Sequence, residues 1–224
     1  MKRYLPFIIV VAVGLATVVS GTVLYRQHQP KPLTIPAELK LDAAGDKTAH
    51  MRGAANPRVT IEEFGDFQCP PCGTLAGPLK QIEEENRNTV RVVFRNFPLV
   101  THAHAREAAQ AAEAAGLQER FWDMHDLLYR EQANWSKVAN AREVFQTYAR
   151  MIGLDVERFA KDFDSPAIKA RIDQDQKRGS SLGVENTPSL FMNNEPVPPP
   201  SLNPATLHKV VHDAVAKTAA AGRK

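Results

Sequence analysis

The sequence predicts an α/β domain behind one N-terminal transmembrane helix. Three observations carry that reading. The order between residues 59 and 94 is strand, helix, strand; two cysteines stand at the joint of the first strand and the helix; and a run without charge extends from Tyr4 to Tyr25.

Val59-Thr60-Ile61-Glu62-Glu63-Phe64 reads as a strand, since β-branched and aromatic residues suit a pleated surface. Cys69 to about Asn86 reads as a helix, with Leu75, Leu79 and Ile82 on one face and Glu83 to Glu85 polar. Val90-Arg91-Val92-Val93-Phe94 is a second strand. That order makes a βαβ unit, with a parallel pair and a right-handed crossover.

A long helical stretch follows. Ala105 to Ala115 is alanine-rich, and Phe121 to Tyr129 keeps helical spacing. Arg142 to Ile152 is a third helix, ended at Gly153, and Leu154 to about Ser181 adds more helix with a break near Ser165-Pro166. Ser189-Leu190-Phe191-Met192 is a short strand and Asn193-Asn194 its turn. The prolines of residues 195–200 suit a return strand only at a sheet edge. Pro204 to Ala219 closes the domain as a helix.

The first 26 residues decide the compartment. Lys2 and Arg3 precede the charge-free run, and an apolar run of about 20 residues crosses a bilayer as a helix. Positive charge ahead of the run keeps the N-terminus in the cytoplasm, so the rest faces the extracytoplasmic (periplasmic or outer) side. A cleaved signal peptide is the competing reading. The run is longer than a signal peptide's apolar core, and Val18/Ser20 makes a poor cleavage site, which favours an uncleaved anchor. Residues 27–58, broken by Pro30, Pro32, Pro36 and Pro57, read as an extracytoplasmic tether. The domain then covers residues 59–215.

Composition narrows the function. With 224 residues and a net charge of +3, the chain has room for one domain of about 180 residues and no basic run that would point to nucleic acid. It has two cysteines, too few for a disulfide scaffold, and one such pair is half of a structural zinc site. No metal or cofactor is called for.

Cys69-Pro70-Pro71-Cys72 is the candidate active site. A helix N-terminus stabilises a thiolate and lowers its pKa from the free value of about 8.5. Cys69, nearest the helix end, is the expected nucleophile, and Cys72, one turn further in, the expected resolving thiol. Pro70 and Pro71 fit the first helical turn but remove two donors that would otherwise reach the Cys69 sulfur. The pKa of Cys69 is therefore expected to be depressed, but not extreme. A purely structural disulfide in so short a loop gains little from chain entropy.

The segment Glu63-Phe64-Gly65-Asp66-Phe67-Gln68-Cys69-Pro70-Pro71-Cys72 resembles the active-site segment of DsbA-type oxidoreductases. The resemblance runs on through Phe97-Pro98-Leu99, His102, Phe121-Trp122-Asp123-Met124-His125 and Gly183-Val184-Glu185-Asn186-Thr187-Pro188-Ser189, over roughly residues 53–215. It implies a thioredoxin fold with an all-helical insertion at about 102–181. It also implies that Thr187-Pro188 is the cis-proline loop that faces the cysteines and binds substrate backbone. Glu63 matches the acidic residue beneath the cysteines, a proton acceptor for Cys72. The implied task is disulfide exchange with exported cysteine-containing proteins, with a membrane redox partner. Pro71 departs from the family, whose members often carry an aromatic residue or His there.

Other side chains invite blander roles. Asp66 is weighed between tuning the site and capping a loop; Glu62 is expected on the opposite face from Glu63. His102 and His104 form too weak a pair for metal and read as surface or capping groups, while Met124 and His125 read as packing. Three functions compete: a dithiol oxidase, a monomeric reductase of the same fold, and a metal-binding module using Cys69 and Cys72.

Overall fold

The computed structural model describes Leu15, residues 17–22 and residues 50–221. The chain divides into two units, Met1–Thr34 and Ile35–Lys224. In the first, Leu15 and residues 17–22 are helical. The membrane helix expected at 1–26 lies mostly outside the described residues, as does most of the tether. No helix among the described residues is long and apolar enough to cross a membrane.

The second unit is built on a five-stranded sheet in the order β1-β3-β2-β4-β5. Strand β2 (Val59–Gly65) pairs in parallel with β3 (Val90–Asn96), and the crossover between them is helix α1 (Pro70–Glu85). All seven residues of β3 are buried, as expected for a central strand covered on both faces. Strand β4 (Ser189–Met192) runs antiparallel to β2, and β5 (Glu195–Pro196) forms the far edge. Asn193 and Asn194 both take positive φ, 50° and 67°, the conformation of a tight hairpin turn. Pro196 and the prolines that follow at 198–200 confine β5 to two residues at that edge, where missing donors leave no ladder unfilled.

One boundary differs from the expected one. His50–Gly53, placed by the sequence within the tether, forms β1 and pairs antiparallel with β3, His50 opposite Phe94. The segment has no β-branched residue and owes its extended form to the free edge of β3 rather than to its own propensity.

Two layers cover the sheet. Leu75, Leu79 and Ile82 of α1 pack with Val59, Ile61, Val90 and Leu190, joined by Leu207 and Val211 from the last helix, α8 (Pro204–Ala221). The rest of the cover comes from the insertion between β3 and β4, in which every regular element is helical: its Phe121 and Tyr129 reach Phe94 on the face that α1 covers, and its Asp175 and Arg178 reach Arg95 and Glu62 on the other. It comprises α2 (Ala105–Gly116), α3 (Phe121–Arg130), α4 (Gln132–Trp135), α5 (Ala141–Met151), α6 (Val156–Phe163) and α7 (Pro166–Ser181). Alanines bury nearly every side of α2, because only so small a side chain lets several helices approach at once. Gly153 and Gly183 end α5 and α7 with φ of 76° at each, the left-handed stop that glycine adopts without penalty.

Glu62, as expected, points away from Glu63. It accepts from Arg95 at 2.9 Å and from Arg178 at 2.7 Å, and Arg95 also donates to Asp175 at 3.0 Å. This buried ionic chain fastens α7 to the sheet.

Candidate active site

Cys69 stands where β2 hands over to α1. The residue before a proline is pushed out of the helical region, and Cys69 is extended, with φ −74° and ψ 118°, as the N-cap of α1. Pro70 and Pro71 fill the first helical turn, where their missing N–H groups have no intrahelical acceptor. The first main-chain N–H free to reach the Cys69 sulfur is therefore that of Cys72. Both cysteines are free thiols and both are buried.

The two thiols are driven apart. Cys69 is pushed down to about 6, first by the hydrogen bond from the Cys72 thiol. Burial opposes this, while the Thr187 hydroxyl and the Cys72 main chain add to it and the charge of Asp66 works against it. Cys72 has no exposed surface and is held far above the ordinary thiol range. Burial is the main cause, followed by its bond to Cys69 and the charge of Glu63.

Thr187 and Pro188 are joined by a cis peptide bond, and the loop faces the cysteines. The neutral Cys69 thiol donates to the Thr187 carbonyl at 3.2 Å, while the buried Thr187 hydroxyl has no partner. An ionised sulfur only accepts, so on ionisation the hydroxyl replaces the carbonyl as its partner.

Glu63 lies beneath the pair on β2, opposite Phe94 of β3 and Leu190 of β4. It is 2% exposed, and its Oε1 has no hydrogen-bond partner. Burial pushes its carboxyl up to about 7, offset in part by the charge of Arg52. It is poised to change protonation near neutral pH.

Asp66 is a loop organiser. Its Oδ1 accepts from the Gln68 N–H at 2.7 Å; its Oδ2 accepts from the Leu99 N–H at 2.9 Å and meets His102 Nδ1 at 2.7 Å. His104 binds elsewhere, to Glu107 and to the Val138 carbonyl, so the two histidines do not converge. Among the described residues no group of three or more His, Cys, Asp or Glu gathers where a metal ion would sit. His125 is buried among Phe67, Phe94 and Tyr129, and burial pushes its pKa down to about 4.

Sequence reasoning missed Gln132 of α4. Its amide donates to the Phe67 carbonyl at 2.7 Å and the Cys69 carbonyl at 2.9 Å, tying the insertion to the catalytic turn. A lone glutamine 63 positions from its partner leaves no local signal. Tyr129, whose hydroxyl is buried without a partner, was also missed.

A dithiol with one acidic and one suppressed thiol, at a helix N-terminus facing a cis-proline loop, is an arrangement suited to thiol–disulfide exchange. Residues 45–213 match the family described as Thioredoxin, and the chain belongs to that family. It is 28% identical to a thioredoxin-like oxidoreductase from Silicibacter pomeroyi DSS-3, over 77% of this chain and 92% of that one, with a TM-score of 0.61. The thiol-disulfide exchange protein alpha-DsbA2 from Wolbachia pipientis shares the fold at 22% identity, over 75% and 88% of the two chains, with a TM-score of 0.63. Among curated proteins, 171 residues are 32% identical to the Na(+)/H(+) antiporter NhaA 1 of Mycolicibacterium gilvum, covering 74% of this chain and 26% of that protein. The chain spans about a quarter of the length of the curated relatives it matches.

Proposed function

We propose that the chain oxidises dithiols of exported proteins through a Cys69–Cys72 disulfide. It works on the extracytoplasmic side of a membrane, held by its own N-terminal helix and re-oxidised by a membrane redox partner. The observation that carries this reading is the asymmetry of the thiols, with Cys69 pushed down to about 6 and Cys72 held far higher. A stabilised Cys69 thiolate lowers the free energy of the dithiol form, so the disulfide takes electrons more readily.

In this cycle a substrate thiolate attacks the Cys69 sulfur, the Cys69–Cys72 bond breaks, and Cys72 leaves with the electron pair. Cys72 takes up a proton, for which Glu63 is the adjacent donor. A second substrate thiolate attacks the substrate sulfur of the mixed disulfide. The substrate disulfide forms and Cys69 leaves as the thiolate its surroundings favour. Thr187-Pro188 holds the substrate main chain beside Cys69.

A monomeric reductase runs the same steps backwards, so the reduction potential separates the two. Equilibration with glutathione is expected to place it nearer the −120 mV than the −270 mV end of the thioredoxin-fold range of roughly that span; a value at the reducing end overturns the oxidase reading. Zinc or copper titration of the reduced protein tests the metal-binding alternative. N-terminal sequencing of the mature protein tests the anchor, which a start near Gly21 would overturn.

A further inference from the structure

We infer that Tyr129 is a positioning residue of the redox pair: its hydroxyl, lying beside Gly65 without a partner while the pair is protonated, becomes a donor to the negative charge that Glu63 and Cys72 share once the pair ionises. This rests on the reading of Cys69 and Cys72 as a redox pair, but not on the direction in which that pair runs.

The geometry points there from three sides. Tyr129 is 6% exposed, and its Oη is buried with no hydrogen-bond partner, as is Oε1 of Glu63. Buried polar atoms seldom lack partners, and these two stand under the same pair of cysteines. A Cβ on Gly65 would lie 2.9 Å from the Tyr129 Oη and 2.5 Å from the Phe94 ring. Gly65 is two residues beyond Glu63 on β2, so both positions present the same face of the sheet, and Phe94 is the partner of Glu63 on β3. The hydroxyl thus occupies the space that a side chain at position 65 would fill, on the side where Glu63 lies. Behind it, the Tyr129 ring lines an open pocket with Gly73, Gly77 and Lys80 of α1 and Asp126 of α3. Gly73 follows Cys72 directly, so the pocket abuts the turn that carries the pair.

Its surroundings keep the phenol protonated. Burial, followed by the charges of Cys72, Glu63, Asp66 and Cys69, raises its pKa. The other ionisable groups nearby gather on Asp126, although the charge of Arg52 also reaches Glu63. Arg52 of β1 donates to Asp126 at 3.1 Å, Lys80 holds Asp126 at 2.6 Å, and His125 Nδ1 meets Asp126 at 2.9 Å. Tyr129 therefore meets the acidic pair as a neutral donor. In the resolving step Cys72–SH gives its proton to the Glu63 carboxylate. The Cys72 thiolate then attacks the Cys69 sulfur of the mixed disulfide. The Cys69–Cys72 bond forms and the substrate thiolate leaves with the electron pair, to be protonated by water. Tyr129 keeps its own proton and stabilises the charge on either side of the transfer.

The test is Tyr129→Phe, which retains the ring packing. A glutathione mixed disulfide is formed on Cys69, and its resolution by Cys72 is followed against pH in single turnovers. The midpoint is expected to move up by about half a pH unit, with roughly a threefold slower rate below it. The Cys69 thiolate titration in a Cys72→Ala background is expected to stay put. An unmoved profile in a folded Tyr129→Phe protein overturns the inference and leaves the dithiol reading intact. A wild-type protein that never resolves the mixed disulfide overturns both. Should Tyr129→Phe fail to fold, NMR of the Tyr129 phenol carbon reads the same contact. The resonance should shift as the pair titrates in the wild-type protein and stay still in Glu63→Gln; a still resonance in the wild type overturns the inference.

Discussion

The Cys69 sulfur donates to the Thr187 carbonyl across 3.2 Å, joining residues 118 positions apart. The contact places the loop before β4 directly over the N-terminus of α1. It also leaves the Thr187 hydroxyl, buried and without a partner, beside a sulfur that becomes an acceptor when it ionises.

Thr187→Val removes that hydroxyl while keeping the branched shape and the carbonyl. The Cys69 pKa is expected to rise above its value of about 6. Ultraviolet absorbance of the thiolate measures it, and an unchanged midpoint would show that the hydroxyl plays no part.

The depressed pKa of Cys69 also sets how stability depends on pH. The folded value of about 6 lies below the ordinary 9.0, so the thiolate's contribution is fully present above about 9 and is lost as pH falls through 6. The reduced protein is expected to gain stability over a Cys69→Ser variant between pH 6 and 9. Urea unfolding of both proteins at pH 5, 7 and 9 checks this, and a constant difference would contradict it.

Glu63 acts in the opposite sense. Its folded pKa of about 7 exceeds the ordinary 4.5, so the protein loses stability as pH rises through that interval. Glu63→Gln is expected to be more stable than wild type at pH 8, by on the order of 3 kcal/mol, with little difference at pH 4. The same variant should resolve a mixed disulfide more slowly. Chemical denaturation at the two pH values, beside a single-turnover assay, separates cost to the fold from benefit to the chemistry.

Asp175→Ala leaves Arg95, 1% exposed, without one of its two carboxylates, and strips the Asn96 N–H of its acceptor. Breaking a buried ion pair from one side costs about 3–5 kcal/mol. The denaturant midpoint should fall accordingly, while the Cys69 titration, on the other side of the sheet, should not move.

Much of the architecture was legible because its signals are local. The βαβ unit follows from β-branched runs around a helix with Leu75, Leu79 and Ile82 on one face. The Asn193-Asn194 turn, the stop at Gly153 and the edge position of the prolines after residue 194 follow from the backbone conformations those residue types favour. The two cysteines announced themselves by spacing, and Pro70 and Pro71 by what a first helical turn tolerates.

The chain by itself therefore determined the strand–helix–strand frame and the thiols at its joint. Only the tertiary structure decided what surrounds them. His50–Gly53 became a strand because β3 had an open edge, and Gln132 reached the Cys69 carbonyl because α4 packs beside the catalytic turn. Tyr129 came to rest on Gly65 because the insertion folds back over β2. Propensity and periodicity act over a few residues, whereas desolvation and hydrogen bonding act between whatever folding brings together. The Cys69–Cys72 asymmetry arises from burial and from partners as far away as Thr187, and so it is a property of the folded chain rather than of the four residues that mark it.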